Sequence, residues 1–160
     1  MMTDTSQLWT TRRPWLHILP EGTDPTELRS STPIQSSLVI DFDGANMRSV
    51  DGVLGEFVRE FQFPEYFGWN WAAFAECLGD LAWFPARAYL LLIRQPDLLL
   101  DESPADRETF FRIMNSVCSR WANSFALGVE FGGGEVPFNL GLMCSDSPKE
   151  DLMRIIGTYL

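Results

Sequence analysis

Residues 89–93 read Tyr-Leu-Leu-Leu-Ile, an unbroken apolar run in the middle of the chain. A strand with one wet face alternates apolar and polar side chains, whereas a strand of a parallel sheet is covered on both faces and reads as a continuous hydrophobic stretch. Parallel neighbours cannot be joined by a tight hairpin, so such a strand demands crossover connections, usually helical. The flanking patterns supply them. Leu38 to Phe42 is strand-like and ends in the turn dipeptide Asp43-Gly44. Val50, Val53, Leu54, Phe57, Val58 and Phe61 recur at helical spacing and stop before Pro64. Asn70 can cap a helix with Trp71, Phe74 and Leu78 on its core face, beside a strip of Ala72, Ala75 and Glu76. Ser103-Pro104 with Asp106 opens a helix continued by Phe110, Ile113, Met114, Val117 and Trp121. Phe138 to Cys144 reads as a strand, and Ser147-Pro148 opens a last amphipathic helix with Leu152, Ile155, Ile156 and Tyr159 inward. Alternating strands and helices predict an α/β fold, a small parallel sheet of three strands plus one or two extra, packed with helices.

Before this unit, Trp15 to Leu19 is a short strand-like run between Pro14 and Pro20, residues 1–14 are expected to fray, and residues 21–37, rich in Pro, Ser and Thr, read as a surface connection. The expected division is an N-terminal extension, 1–36, and a main domain, 37–160, whose last helix spans about 148–159.

Composition narrows the function. A chain of 160 residues that is 46% hydrophobic and 13% aromatic is expected to bury a core rather than stay disordered. The net charge of -10, with a single lysine at Lys149, argues against direct binding to a nucleic-acid backbone and for a basic partner. Cys77, Cys118 and Cys144 are odd in number and lack metal-ligand spacing, which predicts reduced thiols and no metal. Met1 to Thr11 lacks the basic start and apolar core of a signal sequence, and no apolar run nears the roughly 20 residues of a membrane span. The expectation is a cytoplasmic protein. His17 is the only histidine, so a Ser/His/Asp triad or a multi-histidine metal site would have to be built around it. It is read as a structural residue of the first strand.

Two motifs invite a catalytic reading. Leu38-Val39-Ile40-Asp41-Phe42-Asp43-Gly44 resembles the opening motif of haloacid-dehalogenase-type phosphatases, which would make Asp41 the nucleophile and Asp43 the acid-base beside a magnesium ion, with Asp146 and Glu150 as a later acidic pair. No lysine lies between these motifs. Gly132-Gly133-Gly134 could suggest a phosphate cradle, but Glu135-Val136-Pro137-Phe138 continues as strand rather than helix, so it is read as a loop.

The segment Phe63-Pro64-Glu65-Tyr66-Phe67-Gly68-Trp69-Asn70-Trp71-Ala72-Ala73-Phe74-Ala75-Glu76-Cys77-Leu78 resembles the barstar family of intracellular ribonuclease inhibitors. There a Leu/Phe-Pro-x-Tyr-Tyr/Phe-Gly-x-Asn turn precedes a helix with an acidic residue, Cys and Leu near its end. The resemblance spans residues 43–85 without a gap, extends weakly beyond, and makes Asp43-Gly44 the turn that closes a strand. It implies a non-enzymatic protein, without cofactor and monomeric when free, that masks the active site of a basic ribonuclease or nuclease toxin as an immunity protein. The implied partner-binding face is Tyr66, Phe67, Gly68, Trp69, Asn70, Ala72, Ala75, Glu76 and Asp80. Glu76 takes the place of the key carboxylate, whereas Ala72 stands where a second acid is usual, Ala75 where a tryptophan is usual, and Ser116 near the acid of the later helix. One carboxylate among aromatic and small residues shifts the expected grip toward Tyr66, Phe67 and Trp69 as anchors. The competing readings are a barstar-fold interaction module with a non-nuclease partner, and the magnesium-dependent phosphatase built on Asp41 and Asp43.

Overall fold

The structure, a computed structural model, describes residues 5–123 and 135–160, the side chains of 146–149 excepted. Among the described residues, β1 (Leu16–Pro20), β2 (Ser37–Asp43), β3 (Ala88–Arg94) and β4 (Phe138–Cys144) form one parallel sheet in the order β1-β4-β3-β2. Five helices accompany it: α1 (Pro25–Ser31), α2 (Val50–Phe61), α3 (Trp71–Asp80), α4 (Pro104–Ala122) and α5 (Asp146–Ile156). The apolar run is the interior strand β3, with Leu91 opposite Ile40 on one side and Leu140 on the other. Only its last residue, Arg94, reaches solvent.

Alternation along the strands sorts the core into two layers. Ile40, Phe42, Leu91, Ile93, Leu140 and Leu142 face the layer built by α2, α3, α4 and α5. Its centre is aromatic: Phe42 stacks on Phe57 with ring centroids 4.5 Å apart, and Phe57 meets Phe74 edge-on at 4.8 Å. Val39, Leu90, Leu92 and Met143 face the other way and are covered by Leu8 and Trp9 of a short 3-10 turn and by Leu28 of α1.

That second layer corrects two expectations. Ser6 to Trp9 is docked rather than frayed, since Leu8 is 1% exposed. The connection after β1 contains α1, capped by Asp24, whose side chain accepts from the Thr26 N–H, with Pro25 following. Seven residues burying only Leu28 are too few for a helical period to show. The last helix starts at Asp146, with Ser145 at its cap, and ends at Ile156 before a 3-10 turn. Gly132-Gly133-Gly134 lies outside the described residues.

One polar thread crosses this packing. His17 on β1 is 8% exposed, and its Nε2 lies 2.9 Å from Asn139 Oδ1 on β4. Asn139 Nδ2 donates to the Thr10 carbonyl at 3.0 Å, so its Oδ1 accepts and His17 carries a proton on Nε2. Burial lowers the His17 pKa from the ordinary value, and the hydrogen bond to Asn139 opposes this only in part.

Two outcomes follow. Leu8→Ala should cost about 2–5 kcal/mol in denaturant unfolding, as for a core leucine, whereas a frayed residue would cost almost nothing. Because the unfolded chain protonates His17 first as pH falls below about 6.5, this residue's contribution is intact above that pH and lost below it. His17→Gln should therefore show a smaller loss of stability between pH 7.5 and 5 than the wild type.

Candidate partner-binding face

The loop between α2 and α3 alternates between inward anchors and outward display. Phe63 and Phe67 are buried, with ring centroids 5.1 Å apart, and the Phe67 N–H donates to the Pro64 carbonyl to close the turn. Trp83 braces the same corner, its Nε1 donating to the Phe61 carbonyl at 2.9 Å. On this base the loop pushes out Tyr66, 79% exposed, and Trp69, 52% exposed. Phe67 is 6% exposed, so it holds the loop from beneath and is not presented as an anchor. Tyr66 and Phe67 are adjacent in sequence, yet one is exposed and the other buried.

Trp69 adopts φ 52°, in the left-handed region that bulky residues seldom enter. The next residue holds it there. Asn70 Oδ1 accepts from the Ala73 N–H at 2.8 Å, capping α3, while Asn70 Nδ2 donates back to the Gly68 carbonyl at 3.1 Å. Helix start and strained loop are thus fixed by one amide side chain. Trp71 begins α3 half-buried, and its Nε1 donates to Asp106 Oδ1 at 3.0 Å, tying α3 to the start of α4.

Along α3, Phe74, Cys77, Leu78 and Gly79 are buried, while Ala72, Glu76 and Asp80 are exposed and Ala75 is half-buried. Glu76 and Asp80 lie one turn apart, at the end of the helix where the macrodipole already places negative charge, and no basic residue sits in that last turn. Among the described residues, neither forms an ion pair. Their field reaches Cys77, whose thiol is pushed up, first by burial and then by Glu76 and Asp80, so it is protonated and a poor nucleophile. The two carboxylates line a cleft of about 270 Å³ with Tyr66, Phe67, Gly68 and Trp83. On the opposite flank of α3, Trp71, Ala72 and Ala75 line a second cleft of about 370 Å³ with Thr109, Arg112, Ile113 and Ser116 of α4.

Of the residues the sequence pattern named, Tyr66, Phe67, Gly68, Glu76 and Asp80 line one cleft, with Trp69 and Asn70 following on the loop and Ala72 and Ala75 on the other flank of α3. The pattern missed Trp83, which lies beyond α3 and whose role depends on the loop folding back over it. It also missed Arg112, whose spacing on α4 says only that it avoids the core stripe.

Asp41 and Asp43 have structural partners. Asp41 Oδ1 accepts from Arg94 Nε at 3.1 Å. Asp43 Oδ1 accepts from the Ala45 N–H and from Gln95 Nε2, each at 3.0 Å, which caps a 3-10 turn and locks the end of β2 to the residue after β3. A Cβ on Gly44 would fall 2.1 Å from the Gln95 carbonyl oxygen, so only glycine allows that approach. The Asp-Gly pair is explained as a turn.

The family model described as Barstar (barnase inhibitor) matches residues 37–132. The chain belongs to the barstar family. The match takes in β2, α2, the Tyr66 loop, α3, β3 and α4, whereas β1, α1, β4 and α5 lie outside it. No curated protein matches the chain. Within this barstar-family unit the loop displays Tyr66 and Trp69 and α3 displays Ala72, Glu76 and Asp80. No helix among the described residues is long and apolar enough to cross a membrane.

Asn70→Ala should lower stability by about 1 kcal/mol through loss of the cap. Asn70→Asp keeps the acceptor for Ala73 but loses the donor to Gly68. It should recover most of that stability while leaving the Trp69 indole more mobile, read by fluorescence anisotropy decay in a chain whose other tryptophans report the baseline.

Proposed function

We propose that this protein is a non-enzymatic inhibitor that covers the active site of a basic ribonuclease or related nuclease toxin, an immunity protein acting in the cytoplasm. The observation that carries the reading is the pairing of Glu76 and Asp80, exposed and without an ion-pair partner among the described residues at the negative end of α3, with the exposed Tyr66 and Trp69 beside them. Like charges one turn apart at that helix end each cost a few tenths of a kcal/mol. An aromatic in the left-handed region adds about 1 kcal/mol or more. Folding gains nothing from either, and a cationic cleft would gain from both. Tyrosine and tryptophan are the residue types that anchor interfaces, because a large rigid surface loses little freedom on docking. The net charge of -10 steers encounter with a basic partner. Family membership supports the same reading, since its description is that of a ribonuclease inhibitor.

Titration into a panel of basic ribonucleases, barnase included, should suppress RNA cleavage by at least one of them with one-to-one stoichiometry. Tyr66→Ala and Glu76→Ala should each weaken that complex by about 2 kcal/mol, roughly thirtyfold in Kd. The wild-type association rate should fall steeply as salt rises, and less so in Glu76→Ala. Equal affinity of the wild type and a variant carrying both Tyr66→Ala and Glu76→Ala would remove the face, and cleavage undiminished across the panel would remove the function.

A further inference from the structure

The two flanks of α3 carry opposite charge. On the loop side, the cleft holds Glu76 and Asp80, and no base lines it. On the α4 side, the cleft holds Arg112, and no acid lines it. Arg120 continues that side: its guanidinium lies over Gly79, where a Cβ would come within 3.4 Å of Cζ. Arg112, Ser116 and Arg120 stand one turn apart along the edge of α4, facing the strip of Ala72, Ala75 and Gly79 on α3. Both arginines are exposed and, among the described residues, neither forms an ion pair, not even Arg112 with Glu108 one turn before it. In a chain with 22 acidic and 12 basic residues, Arg112 has no ion-pair partner among the described residues, while Arg120 in the last turn of α4 suits the helix dipole and extends the same cationic side. The small residues on α3 leave room above them, and the acids that the family resemblance expects at Ala72 and near Ser116 are absent.

We propose that the binding face is split in charge along α3, so that the cognate partner sets a basic patch against Glu76 and Asp80 and a carboxylate-bearing patch against Arg112 and Arg120. This rests on the reading of the loop and α3 as the inhibitory face and names the chemistry that selects among partners. A partner basic throughout meets an attractive half and a repulsive half, and discrimination against it comes from the repulsive one. A partner with an acidic side chain beside its cationic cleft gains two charge-assisted contacts, for which the planar arginine fork is suited.

The test uses barnase as the probe and four full-length variants. Reversal of the basic side, Arg112→Glu with Arg120→Glu, should tighten binding to barnase at least tenfold at low salt. The same change of net charge at Arg12→Glu with Arg154→Glu, exposed residues outside both clefts, should alter it less than threefold. The single change Arg112→Gln should fall between the wild type and the double reversal. Circular dichroism and thermal unfolding confirm that each variant is folded, and the exposed positions make that the expected result. If the double reversal is indistinguishable from the wild type, whether both bind or neither does, or if the control gains as much, the inference is overturned. Glu76→Arg separates it from the reading beneath: loss of binding there without a gain on reversal removes only the charge split. An unchanged affinity in Glu76→Arg, where the wild type binds, removes the face itself.

Discussion

Everything in this fold answers to the burial of β3 on both faces. An apolar strand in the middle of a sheet cannot be half-covered, because either open face would leave a row of leucines in water at about 25 cal/mol for each Å². One face is satisfied by the aromatic layer of α2, α3 and α4 within the barstar-family unit. The other is satisfied by Leu8, Trp9 and Leu28, all outside the residues that the family model matches. The N-terminal segment is therefore part of the core, and β1 extends the sheet by pairing with β4. His17 and Asn139 fasten that junction with hydrogen bonds that reach the Thr10 carbonyl.

The same demand sets where function can reside. α3 gives Phe74 and Leu78 to the aromatic layer and the loop before it is anchored by Phe63 and Phe67, which leaves the other side of both facing solvent. Their outward groups are released from packing duty. There the chain departs from what stability favours: two acids at a helix C-terminus, a tryptophan at φ 52°, a tyrosine almost wholly in water. Asn70 joins the strained residue to the helix cap, and backbone fixed in this way loses less entropy on binding.

Much of this was legible in the residues. The apolar run implied a parallel sheet, Pro64 and Asn70 marked the end of one helix and the start of the next, and the turn from Phe63 to Asn70 carried the family resemblance. Asp43-Gly44 was legible as a turn, although the same letters permit a phosphatase motif. Only the contacts of Asp41 with Arg94, and of Asp43 with Ala45 and Gln95, show what those carboxylates hold. The illegible parts share a cause. α1 is too short for periodicity, Leu8 and Trp9 are buried by a sheet face formed from residues far along the chain, and Phe67 turns inward because Phe63 waits beneath it.

The linear order of residues by itself determined the α/β class, the helix caps and the identity of the groups that stand out on the loop and α3, because each depends on spacing within a dozen residues. Tertiary structure alone decided that the N-terminal segment closes the second core, that Phe67 is support, and that Arg112 and Arg120 of α4 lie alongside the strip of Ala72, Ala75 and Gly79. Those are meetings between segments remote in sequence, and only packing around a doubly covered strand brings them within reach of each other.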